Sequence, residues 1–302
     1  MRDEIAFFIN QESGSGEAPM AANEAASALP GLTVRKNLPR SSSDLTRACA
    51  DLDPGRTRAA VVFGGDGTQT YALRGLIESG IPLYPFPAGT ANDLAQEQGI
   101  TGCRDQLEAL MRSESIEEVR ILEVNGIPFS TVSGIGIGAD LCEEYNGLRS
   151  GHRWFKKASQ RMNCEIYSAL ALKNIVKNWG KGLQVRITRE GLSEELTLSA
   201  LMVCNQSTLA GNLKVAPGQS KHSDTFTVLI HPGVCGFKTL QGLGSMKFGK
   251  IDSSFVTYKT ESLRIESLNG APLTVFGDGE ILTRSPVLEF RAYPKKLRMY
   301  RA

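Results

Sequence analysis

The chain has 302 residues, 41% of them hydrophobic, with 34 basic against 32 acidic side chains and a net charge of +2. That length and apolar content can bury one large core or two ordinary ones. So balanced a charge argues against a nucleic-acid partner held by bulk electrostatics. No apolar run approaches the roughly 20 residues of a spanning helix, so any membrane contact is expected to be peripheral.

The first pattern is a strand, Ile5-Ala6-Phe7-Phe8-Ile9. No basic region, apolar stretch and cleavage site precede it, so no signal peptide is expected. From residue 4 to about 124, strands alternate with helices. The strands are Ile5–Ile9, Thr33–Asn37, Ala59–Phe63 and Pro82–Phe86; the helices are Ala18–Ala28, Ser42–Leu52, Thr68–Ser79, Ala91–Gln98 and Cys103–Arg112. One of Ser41, Ser42 and Ser43 is placed to cap the second helix, and Thr101 the fifth. The alternation predicts an α/β domain with a parallel sheet wrapped by helices.

Two turns in this stretch carry chemistry. Ala59-Ala60-Val61-Val62-Phe63 runs into Gly64-Gly65-Asp66-Gly67-Thr68 and then into a helical pattern. Strand, glycine turn and helix together point backbone N–H groups and a helix N-terminus at an anion. Asp66 adds a carboxylate, which suits a site where a cation sits between acid and phosphates, or where a hydroxyl proton must be taken. Pro82-Leu83-Tyr84-Pro85-Phe86 then runs into Pro87-Ala88-Gly89-Thr90-Ala91-Asn92-Asp93-Leu94-Ala95. Two successive strands thus deliver small-residue turns to one edge of a parallel sheet, where such sheets bind ligands. Either turn alone could be ordinary turn chemistry.

The pattern changes after Asn125-Gly126, which reads as a hairpin turn. A helix from Cys164 to Trp179, with Leu172, Ile175, Val176 and Trp179 on one face, interrupts a strand-rich remainder. Strands are expected at Leu183–Arg189, Leu196–Cys204, Thr225–Ile230, Ser254–Tyr258, Leu263–Ile265, Leu273–Phe276 and Val287–Ala292, with hairpin turns at Glu190-Gly191 and Asn269-Gly270. This predicts an antiparallel β-sandwich as second domain, over residues 125–284. Gly134, Gly136 and Gly138 follow a GxGxG spacing in a strand context, which suits close approach of a neighbouring strand or a lipid rather than a dinucleotide. Six cysteines are scattered with no CxxC pair, and the three histidines lack metal-ligand spacing. Buried, reduced thiols in a cytoplasmic protein are expected, and a zinc site is not.

The GGDGT and GTANDLA blocks resemble the diacylglycerol kinase catalytic-domain family, which includes bacterial lipid kinases and sphingosine and ceramide kinases. GGDGT is shared more broadly with NAD kinases. Phe7-Phe8-Ile9-Asn10 with Ser13-Gly14 is similar to the family's Asn-Pro-x-Ser-Gly turn. Phe129 to Asp140 resembles the segment entering its second domain, Ala216-Pro217 to Asp224 its Ala-Pro…Asp-Gly stretch, and Phe276-Gly277-Asp278-Gly279-Glu280 its Asp-Gly-Glu motif. The resemblance implies a nucleotide domain over 1–124, a last segment from about 285 to 302 that returns to it, and a site in the cleft between the domains.

It implies an ATP-dependent kinase that uses Mg²⁺ and phosphorylates a lipid hydroxyl, diacylglycerol first and ceramide or another sphingoid lipid next. Gly64, Gly65, Gly67 and Thr68, with Gly89, Thr90 and Asn92, would cradle the nucleotide phosphates, and Asn10 and Ser13 would line the nucleotide end. Asp66 would place metal and phosphates, Glu280 would act as base with Asp278 in support, and Lys221, Asp224 and Phe226 would form a structural metal site. Asp93 could equally be a first-turn helix acid. Gly147 to Arg161, which contains Arg149, His152, Arg153, Trp154, Phe155, Lys156, Lys157 and Arg161, would suit peripheral contact with the inner face of a membrane. A second basic cluster lies at Lys295, Lys296, Arg298 and Arg301.

Four positions depart from the family pattern. Gln11 replaces Pro, Tyr71 replaces Glu, Thr225 replaces Gly, and Arg120 falls on an Asp implicated in metal organisation, with Glu117, Glu118 and Glu123 nearby to compensate. Two other functions stay open on these grounds: a nucleotide- or lipid-binding protein with little kinase activity, and a kinase for a soluble acceptor such as NAD. The oligomeric state, a dimer included, is also open.

Overall fold

In the computed structural model, which describes residues 3–89, 91–151, 163–209 and 213–302, the chain divides into two units. The first comprises Met1–Arg120 and Pro294–Ala302, and the second Ile121–Tyr293. The division falls four residues before the expected 124 and nine after the expected 285. Leu122–Val124 and Val287–Ala292 are paired with each other by backbone hydrogen bonds, which holds both in the second unit.

In the first unit, strands β1 (Glu4–Ile9), β2 (Thr33–Asn37), β3 (Thr57–Gly64), β4 (Leu83–Pro87) and β5 (Ile116–Val119) are joined by a strand from the far end of the sequence, β19 (Leu297–Tyr300). The sheet order is β2-β1-β3-β4-β19-β5, parallel except for β5, which runs antiparallel to β19. β1 and β3 are apolar along nearly their whole length and buried, as expected of central parallel strands covered on both faces. Edge strand β2, Thr-Val-Arg-Lys-Asn, stays largely exposed. Helices α1 (Ala18–Ser27), α2 (Ser42–Ala50), α3 (Asp66–Ser79), α4 (Asp93–Glu97) and α5 (Arg104–Ser113) make the crossovers. Ser41 Oγ accepts the Asp44 N–H at 3.1 Å and caps α2. Thr101 does not cap α5. Its N–H instead donates to Gln106 Oε1, and Cys103 occupies the N-cap position without a side-chain bond.

The second unit is antiparallel, as expected, with eleven strands hydrogen-bonded into one sheet and a separate pair, β11 (Thr208–Leu209) with β12 (Leu213–Lys214). Along the main path run β17 (Glu280–Ser285), β16 (Leu273–Gly277), β8 (Val132–Gly136), β10 (Leu192–Cys204), β9 (Leu183–Arg189), β15 (Ser262–Ser267), β18 (Val287–Ala292), β6 (Leu122–Val124) and β7 (Ile127–Phe129). β13 (Phe226–Pro232) and β14 (Val256–Thr260) branch from β10. Alternating residues such as Val185, Ile187, Leu201, Val203, Leu263 and Phe290 fill its core.

Helices α6 (Ile137–Gly151), α7 (Asn163–Lys177) and α8 (Phe237–Lys247) accompany this sheet. Of the Gly134, Gly136 and Gly138 series, the first two lie in β8 against β10. A Cβ on Gly134 would stand 2.2 Å from the Leu201 carbonyl oxygen, and Gly136 takes φ +79°. The neighbouring-strand reading is therefore the one the structure supports, and Gly138 already belongs to α6. The expected apolar face of α7 is split: Ile175 is buried, whereas Leu172, Val176 and Trp179 are exposed. No described helix is long and apolar enough to cross a membrane.

Candidate functional site

The parallel sheet brings the ends of β1, β3 and β4 side by side, and the residues just beyond them form one cluster. Asn10 follows β1. Its backbone N–H donates to the Phe63 carbonyl at 3.1 Å, and its Nδ2 donates to Thr68 Oγ1 at 2.9 Å. Ser13, buried, opens a short 3-10 turn and donates its N–H to the Asn10 carbonyl at 3.0 Å. Gly64 ends β3 and Gly65 is the N-cap of α3, with no side chain to occupy the helix end. Gly67 and Thr68 lie in the first turn of α3, so its N–H groups stay available to an anion.

Gly89 closes the cluster. A Cβ there would lie 2.3 Å from Gly65 Cα, and one on Gly64 would lie 2.4 Å from Thr68 Cβ. The two glycine turns therefore meet backbone against backbone, which no other residue type would permit. Asn92, in the left-handed region at φ +54°, braces the second turn. Its Oδ1 accepts the Gly89 N–H at 2.8 Å and its Nδ2 donates to the Gly89 carbonyl at 3.1 Å. Thr90 lies outside the described residues.

Asp66 projects toward that second turn. Its carboxylate accepts the Asn92 N–H at 2.9 Å and the Leu94 N–H at 3.5 Å, so it links both loops and caps the short α4. Asp93 is buried beside it. Burial, and then the Asp93 charge, push the Asp66 carboxyl up to about 7, against the N–H donors of Leu94, Asp93 and Asn92 that pull it down. Two acids so close, one held half-protonated near neutrality, form a donor set suited to a divalent cation.

The raised Asp66 group has a consequence for stability. The folded state keeps a proton that the unfolded chain releases above the ordinary value of 3.8, so stability falls as pH rises from there to about 7. Asp66→Asn removes this dependence. The melting temperature of the variant, measured against wild type in metal-free buffer, should move in the variant's favour across that window; a constant difference would overturn the assignment.

The Asp-Gly-Glu motif belongs to the second unit. Asp278, at φ +52°, is buried. It accepts the Ser130 N–H at 2.8 Å, the Thr131 N–H at 2.7 Å, Thr131 Oγ1 at 2.6 Å and Ser130 Oγ at 3.4 Å. So saturated a carboxylate ties β16 to the loop before β8. Glu280 starts β17. Asn146 Nδ2 of α6 donates to the Gly279 carbonyl at 2.9 Å and approaches Glu280 Oε2 at 3.5 Å. Burial, then Glu280 and Glu143, push the nearby Cys142 thiol up to about 12.

Lys221 is buried, Asp224 is exposed and Phe226 opens β13, all in or beside one loop. Gln219 Nε2 donates to the Ser220 and Thr225 carbonyls at 3.0 and 2.9 Å. A cation here would rest on the Asp224 carboxylate with backbone carbonyls of its neighbours, since no three His, Cys, Asp or Glu side chains gather among the described residues. Of 147–161, residues 147–151 end α6 while His152, Arg153, Trp154, Phe155, Lys156, Lys157 and Arg161 lie outside the described residues. In the second basic cluster, Lys295 pairs with Glu78 at 2.5 Å and Arg301 with Glu117 at 2.7 Å.

Arg120 is buried at the end of the first unit. Of the acids near it, Glu117 pairs with Arg301 and Glu123 with Arg291, while Glu118 is exposed. Tyr71 stacks under the Arg74 guanidinium, 5.0 Å from the ring centre. Among the thiols, Cys49, Cys142, Cys204 and Cys235 are buried as expected, but Cys103 is exposed. Sequence reasoning missed Gln69, whose Nε2 pins α3 to the Val62 carbonyl at 2.8 Å, and Asn146, for which no motif gave a signal.

Residues 4–124 match the family model for the diacylglycerol kinase catalytic domain. Over 231 residues the chain is 29% identical to a diacylglycerol kinase of Mycobacterium tuberculosis (strain CDC 1551 / Oshkosh), an alignment that spans 73% of this chain and 70% of the relative. A crystal structure of a diacylglycerol kinase from Bacillus anthracis str. Sterne covers 99% of this chain and 97% of its own, at a TM-score of 0.70 and 18% identity. A second structure from that organism reaches a TM-score of 0.77 at 19% identity, over 99% and 95% of the two chains. These two speak for the fold. With the glycine cradle at the strand ends and the match over residues 4–124, that part of the chain is a domain of the diacylglycerol kinase catalytic-domain family.

Proposed function

We propose that this protein is an ATP-dependent lipid kinase that transfers the γ-phosphate to a lipid hydroxyl, with diacylglycerol as first acceptor and ceramide or another sphingoid lipid as second. The observation that carries the reading is the backbone contact between Gly65 and Gly89 at an N-terminus of α3 that no side chain caps. Phosphoryl transfer asks the protein mainly for positioning and charge neutralisation. Backbone N–H groups of Gly65, Gly67 and Thr68 supply donors to the phosphates, and Asn10 and Asn92 hold the two turns in place. Mg²⁺ would neutralise phosphate charge, and Asp66 with Asp93 are the residues that would hold it. The acceptor oxygen forms its bond to the γ-phosphorus as the bond to ADP breaks. The hydroxyl proton passes to the Glu280 carboxylate.

One observation favours a second reading, a nucleotide- or lipid-binding protein with little kinase activity. Arg120 stands where the family carries an acid, and Glu117 and Glu123 are already paired to arginines. Transfer of labelled γ-phosphate from ATP to a panel of lipids in mixed micelles separates the two. Wild type should label one lipid, and Glu280→Gln should lower the rate by at least about 100-fold while nucleotide still raises the melting temperature. Nucleotide binding without a labelled product would transfer the assignment to the second reading.

A further inference from the structure

The second unit exposes an apolar patch that its own packing does not explain. Leu172, Val176 and Trp179 stand at i, i+4 and i+7 along and just past the end of α7, all exposed. Beside them lie Val234, in the loop before α8, and Phe237 and Leu240, one turn apart on α8. Phe237, the first residue of that helix, is 78% exposed.

These residues form one built surface. The Trp179 and Phe237 rings meet edge to face at 5.0 Å. Gly180 N–H donates to the Cys235 carbonyl at 2.9 Å and Cys235 N–H donates to the Lys181 carbonyl at 2.8 Å, which laces the two loops together. A laced pair of loops holds two large aromatic rings toward water, a state that costs free energy unless something covers them.

The surrounding charge names the occupant. Residues 172–181 and 232–241 contain Lys173, Lys177, Lys181 and Lys238 and no acidic residue. From neighbouring α6, Glu144 pairs with Lys173, and Asp140 lies beside Lys177 and Lys181. Glu143 also lies beside Asp140 but is paired with Arg284, so five cations face three carboxylates and the rim is net positive. Aromatic rings at the centre with lysines around them match the interface of an anionic bilayer, where rings sit at headgroup depth and lysine stems lie along the surface.

We propose that this patch, formed by the end of α7 and the start of α8, docks the second unit on an anionic phospholipid surface. The proposal deepens the lipid-kinase reading by naming the surface through which a bilayer-resident acceptor is reached, and it rests on that reading only for the acceptor's location.

The test is co-sedimentation of the full chain with sucrose-loaded vesicles of pure phosphatidylcholine or of equimolar phosphatidylcholine and phosphatidylglycerol, without nucleotide. Wild type should pellet with the mixed vesicles, weakly or not at all with the neutral ones, and less at high salt. Trp179→Ala with Phe237→Ala should weaken binding about tenfold or more, and Lys177→Gln with Lys181→Gln and Lys238→Gln should remove the salt-sensitive part. Phe237→Ser alone, at so exposed a position, keeps the test valid if the double variant fails to fold. Wild type that ignores anionic vesicles, or Phe237→Ser that binds them unchanged, overturns the proposal; a dimer lost in that variant, with no vesicle binding, would give the patch to a second copy of the chain. The readout needs no catalysis. Vesicle binding without any labelled lipid would sink the kinase reading and leave this one standing. Labelled lipid in micelles without vesicle binding would do the reverse.

Discussion

Alanine at position 278 is expected to cost the second unit about 3–5 kcal/mol, because four donors lose a buried acceptor at once. The backbone N–H groups of Ser130 and Thr131 point into that carboxylate at 2.8 and 2.7 Å, and they cannot turn away as a hydroxyl can. Each buried donor left alone costs about 1–3 kcal/mol. Alanine also fits poorly at φ +52°. An asparagine side chain would keep one acceptor oxygen and tolerates that conformation, so Asp278→Asn should lose about half as much as Asp278→Ala. Urea unfolding of both variants checks the ranking through their midpoints. Equal losses would mean that the hydrogen bonds are not what holds the turn. The loss is large against a total stability of about 5–15 kcal/mol, so a kinase defect in Asp278→Ala alone would say little about catalysis.

Gly89→Ala should abolish the rise in melting temperature that ATP with Mg²⁺ gives the wild type. The added methyl would lie 2.3 Å from Gly65 Cα and 2.9 Å from Asn92 Oδ1. Neither neighbour is the loose end of a long side chain, so the two turns must part. Gly89 shows no left-handed φ, so the penalty is steric and not torsional. Overpacking of this kind costs about 1–3 kcal/mol, which leaves the protein folded and the cradle displaced. Thermal shift with and without nucleotide separates the effects. A lowered melting temperature with the nucleotide response intact would show that the phosphates do not use this contact.

The first unit was largely legible in the sequence because its signals are local. Ala59–Phe63 is a continuous apolar run of the kind that only a covered parallel strand buries, and the glycine turns follow directly on their strands. The Gly65–Gly89 contact could be guessed in kind, since both turns were expected at one sheet edge. The role of Asp66 as a link to Asn92 could not, because it depends on a rotamer and on a residue 26 positions away. In the second unit, the strands were readable by alternation but their partners were not. β8 lies between β10 and β16, across separations that no local pattern encodes. α8 went unread because Gly242 and Gly244 dilute its helical pattern. Trp179 is exposed although the spacing set it on an apolar helix face, which normally turns inward, and such a contradiction is most informative where it survives in the folded chain.

The place of β19 bears on how the molecule is made. It pairs with β4 through Met299 and Leu83 and with β5 from Leu297 to Tyr300. While the ribosome is still adding residues 121–293, β4 waits with one bare edge and β5 has no partner. At a synthesis rate of about 5–20 residues per second that interval lasts roughly 10–40 s. A bare strand edge is where a nascent chain pairs with the wrong neighbour. The unit begun first is therefore the unit finished last, and shielding by a chaperone is worth most during that wait.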